Sequence, residues 1–234
     1  MITGGIIAAG HGSRLKKEGF SCPKPLVRIN GEELLGRTVN QFKETGINSI
    51  RIIFRNSICR ECSNYLAKKF PEMEFDIICR DTKSSAESFL CLLEKIQPEE
   101  KLLITTVDSI FQDGAFRAFV EKAAKTQEDG VVLGITRFVD DEKPLFVTLK
   151  EGADGRIIKI GGQSGDAVTC GVYLVPAKVR MIGEKEQFRA LRRFLARLFD
   201  SGIPFRGIDM GKVIDVDRLQ DVKEAERFLS HLHR

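Results

Sequence analysis

The first 136 residues alternate between two patterns of hydrophobic positions. Short apolar runs, typical of buried strands, are separated by longer stretches in which apolar residues recur at helical spacing. The predicted strands are 4–9, 49–54, 74–79, 101–107 and 131–136, and the predicted helices are 32–45, 61–70, 84–96 and 113–126. This alternation predicts an α/β fold with a mostly parallel, doubly wound sheet.

The pattern changes after residue 136, where strand-like segments follow one another without a helical stretch between them. The change predicts an antiparallel extension of the sheet, closed by two helices. The predicted strands are 144–150, 156–160, 168–176, 205–208 and a segment near Val213, and the predicted helices are 184–200 and 218–232. The sequence has no internal repeat and no low-complexity linker, so we predict a single domain over 1–234 with a β-rich insertion in its second half.

Composition and charge exclude few classes of function. The 37 Lys and Arg against 33 Asp and Glu give a formal net charge of +4, which provides no argument for nucleic-acid binding. No apolar run reaches membrane-spanning length, and the amino terminus does not resemble a secretion signal. The six cysteines are therefore predicted to be reduced thiols of a cytoplasmic protein. Cys59 and Cys62 form a CxxC pair, interpreted either as part of a zinc site or as thiols on a helix face.

A long loop rich in glycine, proline and basic residues follows the first predicted strand (10–26, GHGSRLKKEGFSCPKPL). Open α/β sheets bind ligands at this position, beyond the carboxyl end of a strand. Gly10 and Gly12 would let backbone N–H groups turn toward an anion, and Arg14 and Lys24 are suited to neutralise phosphate charge. The alternative is an ordinary turn with solvated lysines.

Two common phosphate-binding loops do not match this segment. The Walker A string G-x-x-x-x-G-K-[ST] is absent from the sequence. The dinucleotide fingerprint G-x-G-x-x-G is only half present, because Leu15 stands at the third glycine position.

Residues 7–15 (IAAGHGSRL), followed by 23–26 (PKPL), resemble the signature of the nucleotidyltransferase superfamily. Its branches include sugar-1-phosphate nucleotidylyltransferases, phosphocholine cytidylyltransferases and molybdenum-cofactor nucleotidyltransferases, and the spacing is similar to that of the first two. The resemblance is strong in residues 1–40, weak in the middle, and returns at the carboxyl end. It implies a Rossmann-like (GT-A-type) domain, in which 1–136 form the nucleotide-binding half and 137–234 bind the acceptor and complete the metal site.

The resemblance also implies roles for individual residues. The residues implied to contact the nucleotide in the loop are Ala8, Ala9, Gly10, Gly12, Ser13, Arg14 and Lys24. Segment 81–87 falls where the family contacts the base, which implies contacts from Ser84 and Ser85; an N-cap role for Ser84 is the alternative. Segment 170–173 resembles the strand that lines the family's acceptor pocket, where Gly171 either admits the acceptor closely or marks a bulge.

Nucleotidyl transfer joins two anions, so a divalent cation such as Mg²⁺ is expected. Asp108 follows the predicted strand 101–107, where the family also places a metal-binding aspartate; a turn or N-cap role is the alternative. Asp215 and Asp217 resemble the family's closing acidic motif and are the further candidate ligands, with Asp217 alternatively capping the last helix. Asp221 is expected in the first turn of that helix. Sequence alone does not show that Asp108 and Asp215 meet.

The sequence therefore predicts an enzyme that transfers a nucleoside monophosphate from an NTP to a phosphorylated acceptor, a sugar 1-phosphate or a phosphoalcohol, and releases pyrophosphate. Arg14, Lys24 and Asp108 are the predicted catalytic residues, acting by alignment and charge neutralisation. Two alternatives stay open: a GT-A-type glycosyltransferase that uses an NDP-sugar, and a non-catalytic sugar-nucleotide-binding module. The base and the acceptor are not identified, a homo-oligomer is compatible with the sequence, and neither nucleic acid nor membrane is an expected partner.

Overall fold

The computed structural model describes residues 2–126, 129–139, 144–152, 154–183 and 188–230. Within them the strands are β1 (Ile2–Ala8), β2 (Arg28–Ile29), β3 (Glu32–Glu33), β4 (Ser49–Phe54), β5 (Glu74–Cys79), β6 (Lys101–Thr106), β7 (Ser109–Phe111), β8 (Val131–Thr136), β9 (Phe146–Leu149), β10 (Ile157–Ile160), β11 (Ala167–Pro176), β12 (Phe205–Asp209) and β13 (Val213–Asp215). The α-helices are α1 (Ser13–Lys17), α2 (Leu34–Glu44), α3 (Asn56–Lys69), α4 (Ser85–Leu93), α5 (Ala115–Ala124), α6 (Arg180–Gly183), α7 (Leu191–Asp200) and α8 (Leu219–Ser230).

Among the described residues, nine strands form the central sheet, with the path β10-β9-β11-β6-β1-β4-β5. Strand β8 also pairs with β11, and β12 pairs with β8. Strands β6, β1, β4 and β5 are parallel to one another. Strand β11 runs antiparallel to β6, β8 and β9. The predicted α/β class, with a largely parallel sheet and an antiparallel extension in the second half, is confirmed.

Helices cover both faces of this sheet. One buried apolar cluster contains side chains of α2, α3, α5 and α8, and a second contains those of α4 and α7. In α2 the periodic positions Leu34, Leu35, Val39 and Phe42 are all buried, and Gly46 follows its end with a φ of 77°, a backbone conformation that favours glycine. The doubly wound arrangement places the carboxyl ends of the parallel strands at one edge, where β1 enters the glycine loop.

Several predicted bounds differ from the structure. Segment 10–26 is not wholly irregular, because it contains α1 and a 3₁₀ turn at Lys24–Leu26; these elements are too short to show a hydrophobic period. Helix α3 begins at Asn56 rather than at residue 61. Of the predicted helix 184–200, residues 184–187 lie outside the described part and the helix begins at Leu191. The end of the predicted helix 218–232 also lies outside it.

The prediction that all six cysteines are reduced thiols is wrong for Cys59 and Cys79, which form a disulfide. They are separated by 20 positions, and the β4–α3–β5 crossover brings the first turns of α3 against the last residue of β5. Cys62, the other half of the CxxC pair, is a buried free thiol, and burial raises its pKa to about 12. Among the described residues no group of three or more His, Cys, Asp or Glu could hold a metal.

A search of the described residues for membrane-spanning helices found none of sufficient length and apolar character.

Candidate functional site

The glycine loop folds back on the PKP segment that follows it. Gly12 has a φ of 58°, and a Cβ at this position would lie 3.0 Å from the Cβ of Lys24. Glycine is therefore favoured at position 12 by both the left-handed backbone and the close approach. The consequence is that Lys24, ten residues beyond Arg14, is brought under the loop at the edge of the sheet.

Lys24 is the centre of a network of alternating charges. Its side chain is only 8% exposed, and its ammonium donates to the carboxylate of Asp108 and, at 2.6 Å, to Oδ1 of Asp217. The other oxygen of Asp217 accepts from the Arg14 guanidinium at 3.1 Å. The structure thus brings Arg14 and Lys24 of the loop together with Asp108 and Asp217, which lie far from the loop in the sequence.

The charges in this network stabilise one another. Burial alone would lower the pKa of Lys24, but the carboxylates of Asp108 and Asp217 outweigh it and raise that pKa above its ordinary value. Burial would raise the pKa of Asp108, and the Lys24 ammonium outweighs it and keeps that pKa below its usual value. Lysine and aspartate are therefore both charged near neutral pH, as contacts to phosphate and metal require.

Asp108 and Asp215 meet at a two-stranded ladder. Strands β7 and β13 pair antiparallel with Asp215 opposite Ser109, and the Val216 N–H donates to the Asp108 carbonyl at 3.0 Å. Ser109 Oγ donates to Asp215 Oδ1 at 2.6 Å. This pairing supplies the contact that the sequence alone does not show.

The start of α8 is capped by Asp221, not by Asp217. Oδ2 of Asp221 accepts from the backbone N–H of Asp217 at 2.8 Å and of Arg218 at 2.7 Å. Its predicted place in the first helical turn is confirmed. The capping interpretation of Asp217 is wrong, because its carboxylate is engaged by Lys24 and Arg14.

Two cavities meet at this network. The smaller one, about 290 Å³, is lined by Ile7, Ala8, Ala9, Gly10, His11, Lys24, Pro25, Thr82, Lys83, Ser84, Ser85, Ser88, Thr106, Val107 and Asp108. The larger one, about 650 Å³, is bordered by both halves of the chain, including Arg14, Gly171, Arg192, Asp215 and Asp217. Asp108, Thr106 and Ser85 line both, so Asp108 lies where the contents of the two cavities would meet.

Gly12 and Ser13 fall outside the described lining of both cavities. Ser13 is the exposed first residue of α1. Their predicted contacts with a triphosphate therefore stay predictions, whereas the predicted loop residues Ala8, Ala9 and Gly10 border the smaller cavity directly.

Ser84 and Ser85 join the walls of the two cavities by hydrogen bonds. Ser84 Oγ accepts from the Glu87 N–H at 3.2 Å, which confirms the N-cap alternative, and it donates to the Phe188 carbonyl at 2.7 Å. Ser85 Oγ accepts from the Leu191 N–H at 3.0 Å. The start of α4 is thereby tied to the start of α7, which borders the larger cavity; contacts of these serines with a base stay predictions.

Gly171 lies in a bulge of β11. Its φ is 82°, and the register between β11 and β8 shifts between Thr169 and Tyr173, so the bulge interpretation is confirmed. Gly171 also borders the larger cavity together with Cys170 and Tyr173.

Sequence reasoning missed several residues of the site. Arg55 contacts His11 of the glycine loop at 2.8 Å and pairs with Asp81 at 3.4 Å; its position directly after β4, at the ligand-binding edge, was an available signal. Arg192 lines the larger cavity from the first turn of α7. Ser109 stands next to Asp108, but its contact with Asp215 depends on a pairing that no local pattern indicates.

The donor set at Asp108 is compatible with a magnesium ion. Mg²⁺ typically takes one or two carboxylates and completes its shell with phosphate oxygens and water. Asp108 and Asp215 are adjacent at the β7–β13 ladder and line one cavity, and Asp108 already accepts a cationic partner in Lys24. These residues therefore fit a magnesium ion whose remaining positions are filled by phosphate oxygens and water.

Comparisons with known proteins agree with this geometry. The family described as "MobA-like NTP transferase domain" matches residues 4–197. A bifunctional IPC transferase and DIPP synthase of Aquifex aeolicus is 25% identical over 234 residues, which cover 96% of this chain and 51% of that protein. A CTP:phosphoglutamine cytidylyltransferase of Campylobacter jejuni is 27% identical over 130 residues, covering 53% and 49%. The chain spans about half the length of these curated relatives.

Solved structures show the same fold. The inositol-1-phosphate CTP transferase from T. maritima superposes with a TM-score of 0.80 at 22% identity, covering 96% of this chain and 94% of that one. A UDP-glucose pyrophosphorylase complexed with UDP-glucose gives a TM-score of 0.83 at 16% identity, with both chains covered completely (100%). The expected Rossmann-like nucleotidyltransferase fold is confirmed. Because the family match extends over most of its length, this chain belongs to the family with the MobA-like NTP transferase domain, within the nucleotidyltransferase superfamily that its glycine-loop signature predicts.

Proposed function

We propose that this protein transfers a nucleoside monophosphate from an NTP to a phosphorylated acceptor and releases pyrophosphate. The observation that carries the proposal is the charge network of Arg14, Lys24, Asp108 and Asp217 at the boundary between two cavities. One cavity would hold the NTP and the other the acceptor, so that their phosphates approach each other beside Asp108.

In this reaction an oxygen of the acceptor phosphate attacks the α-phosphorus of the NTP. A new P–O bond forms while the bond from the α-phosphorus to the oxygen bridging the β-phosphate breaks, and pyrophosphate leaves with that electron pair. The acceptor oxygen is already anionic near neutral pH, since the second pKa of a phosphate monoester is about 6, so no protein base is needed. Lys24 and Arg14 would neutralise charge on the α-phosphoryl group and the pyrophosphate.

A bound Mg²⁺ would screen the repulsion between the two anionic substrates. Asp108 and Asp215 are the residues proposed to hold it. Asp217 is the further candidate ligand, and it would join them only by exchanging its Lys24 and Arg14 partners for the metal.

The first half of the chain would bind the nucleotide and the second half the acceptor. Described residues that line the smaller cavity all lie between Ile7 and Asp108, which supports a nucleotide-binding half over 1–136. In it the backbone around Gly10, Gly12 and Ser13 would wrap the triphosphate, and Ser84 and Ser85 would lie near the base. The second half, 137–234, contributes Gly171, Arg192 and Asp215 to the larger cavity, which supports acceptor binding there. We place the reaction in the cytoplasm, where nucleoside triphosphates are made.

CTP is the donor that we propose. Two similar proteins carry CTP in their names, the T. maritima transferase and the C. jejuni cytidylyltransferase. We propose a small polar phosphate ester, such as a polyol phosphate, as the acceptor, because Thr136, Thr169 and Gln220 line the larger cavity with hydrogen-bonding groups.

The test is pyrophosphate release in the presence of Mg²⁺, with each of the four NTPs and a panel of inositol 1-phosphate, hexose 1-phosphates, phosphocholine and related phosphoalcohols. We expect release that depends on the acceptor and is fastest with CTP. Asp108→Asn should lower it by roughly 100-fold or more, since even the outer partners of a metal ligand contribute 10- to 100-fold. Asp200→Asn, at the exposed end of α7, is the matched control and should leave release unchanged.

Other outcomes would identify the competing functions. An enzyme that consumes an NDP-sugar without releasing pyrophosphate would be a glycosyltransferase. A non-catalytic binding module would release no pyrophosphate with any acceptor of the panel, and its Asp108→Asn variant would bind nucleotide as well as the wild type does.

A further inference from the structure

Ser109 is held rigidly beside the two candidate metal ligands. It is the first residue of β7, it is only 4% exposed, and strand pairing places it opposite Asp215. Its hydroxyl donates to Asp215 Oδ1 at 2.6 Å. Because a serine hydroxyl has one proton, its remaining contacts use oxygen lone pairs.

Thr106 completes the hydrogen bonding of Ser109. Its Oγ1 lies 2.7 Å from Ser109 Oγ, and because the Ser109 proton is donated to Asp215, Thr106 donates its own proton to the Ser109 oxygen. The two hydroxyls therefore form a chain that ends on Asp215, and Thr106 lines both cavities together with Asp108.

Gly171 supplies the room for this hydroxyl pair. A Cβ at position 171 would lie 2.4 Å from Ser109 Oγ and 2.7 Å from Thr106 Oγ1. Both distances are far below van der Waals contact. Any side chain on this bulge would displace the two hydroxyls, which accounts for glycine here independently of any contact with an acceptor.

We propose that Ser109 is a positioning residue, which acts with Thr106 to orient the Asp215 carboxylate toward the cation shared with Asp108. The proposal rests on the metal role that the proposed function gives to Asp108 and Asp215. Partners of this kind orient metal ligands, and their loss typically weakens metal affinity by 10- to 100-fold.

The test measures Mn²⁺ binding by electron paramagnetic resonance, with the metal alone as the probe, and the Mg²⁺ concentration for half-maximal pyrophosphate release. Ser109→Ala should raise the Mn²⁺ dissociation constant about tenfold and shift the Mg²⁺ activation curve by a similar factor. The KM for the NTP at saturating Mg²⁺ should not change. Ser109→Thr, which keeps the hydroxyl, should restore metal binding, and Thr106→Val should give a smaller shift because the bond from Ser109 to Asp215 remains.

Thr38→Val is the matched control, because Thr38 is a buried hydroxyl that donates within α2, away from the cavities. If Ser109→Ala binds Mn²⁺ as the wild type does while Asp215→Asn binds it weakly, the positioning role is wrong and the metal role stands. If Asp215→Asn also binds Mn²⁺ normally, Asp215 is not a metal ligand, and the positioning role of Ser109 is wrong as well. Mn²⁺ binding does not depend on turnover, so it tests the positioning role even if the proposed substrates are wrong. If Ser109→Ala does not fold, the Mn²⁺ affinity of Thr106→Val is the test instead.

Discussion

Lys24 lies between the carboxylates of Asp108 and Asp217, almost fully removed from solvent. A buried ammonium is stable only when it is paired, so these carboxylates keep the lysine charged in the folded protein. The lysine in turn holds both carboxylates at the boundary of the two cavities. One side chain therefore organises the site and offers a positive charge to an incoming phosphate.

Replacing Lys24 by methionine, which has a similar length and no charge, should reduce pyrophosphate release by about 100- to 1,000-fold, the usual effect of losing one preorganised charge-stabilising donor. Folding stability should also fall, since Asp108 loses its cationic partner. Lys17→Met, at the exposed end of α1, is the control and should behave as the wild type in both the pyrophosphate assay and urea unfolding. Wild-type turnover in Lys24→Met would remove the lysine from the mechanism.

The positions of residues on the glycine loop and at strand ends could be predicted from the sequence, because these positions depend on local order along the chain. Asp108 directly follows β6, and Arg14 and Lys24 stand at recognisable spacing. Ser109 could not be predicted, since its partner Asp215 is 106 positions away and is reached only through the β7–β13 register. The sequence predicts Asp217 as a metal ligand, but no local pattern indicates its contact with Lys24, which is 193 positions away.

Among the elements, the parallel half of the sheet could be predicted because each strand contains a short apolar stretch and is separated from the next by a helical pattern. The bounds of β4, β5 and β8 agree with the prediction residue by residue. The short elements α1, β7 and α6 could not be predicted. They have only three to five residues each, too few to show a hydrophobic periodicity. Two of these, α1 and β7, carry or adjoin the candidate functional residues Arg14, Asp108 and Ser109.

The Cys59–Cys79 disulfide joins α3 to the end of β5, next to the segment 81–87 that borders the smaller cavity. Unfolded protein prepared without reductant should show the four free thiols of Cys22, Cys62, Cys91 and Cys170, and all six only after reduction. A thiol titration with Ellman's reagent makes this count. Six reactive thiols before reduction would show that the pair is not joined in solution.

The same disulfide should stabilise the fold. In the chain-entropy model a loop of this length contributes about 3 kcal/mol, so the double variant Cys59→Ser with Cys79→Ser should unfold at lower urea. Cys22→Ser, at a free and partly exposed thiol, is the control for the loss of a sulfur atom. Equal unfolding midpoints for the double variant and the wild type would contradict this contribution.

At the scale of the whole molecule, the fold places two cavities on either side of one carboxylate. The smaller is built by the glycine loop and the start of α4, and the larger includes β11, the start of α7 and the segment around Asp215. Hydrogen bonds from Ser84 to Phe188 and from Leu191 to Ser85 connect their walls. The start of α4 and the start of α7 are therefore joined where the two cavities adjoin.

A variant of Arg192 tests kinetically whether the acceptor binds in the larger cavity and the NTP in the smaller one. Arg192 lines the larger cavity and is not among the described residues that line the smaller one. Arg192→Ala should raise the KM for the acceptor about tenfold, corresponding to about 1.4 kcal/mol, and leave the KM for CTP unchanged. Arg193→Ala, at the exposed neighbouring position, should change neither. A rise in the KM for CTP instead would mean that the cavities have been assigned to the wrong substrates.

In the proposed reaction a nucleoside monophosphate moves past Asp108 from one cavity to the other. Phosphorus NMR of the protein with CTP, Mg²⁺ and the best acceptor of the panel tests it most directly. We expect equal growth of pyrophosphate and of a new diphosphate diester, whose two phosphorus atoms come from the CTP α-phosphate and the acceptor. Formation of CDP with inorganic phosphate, or release of pyrophosphate without a new diester, would contradict it.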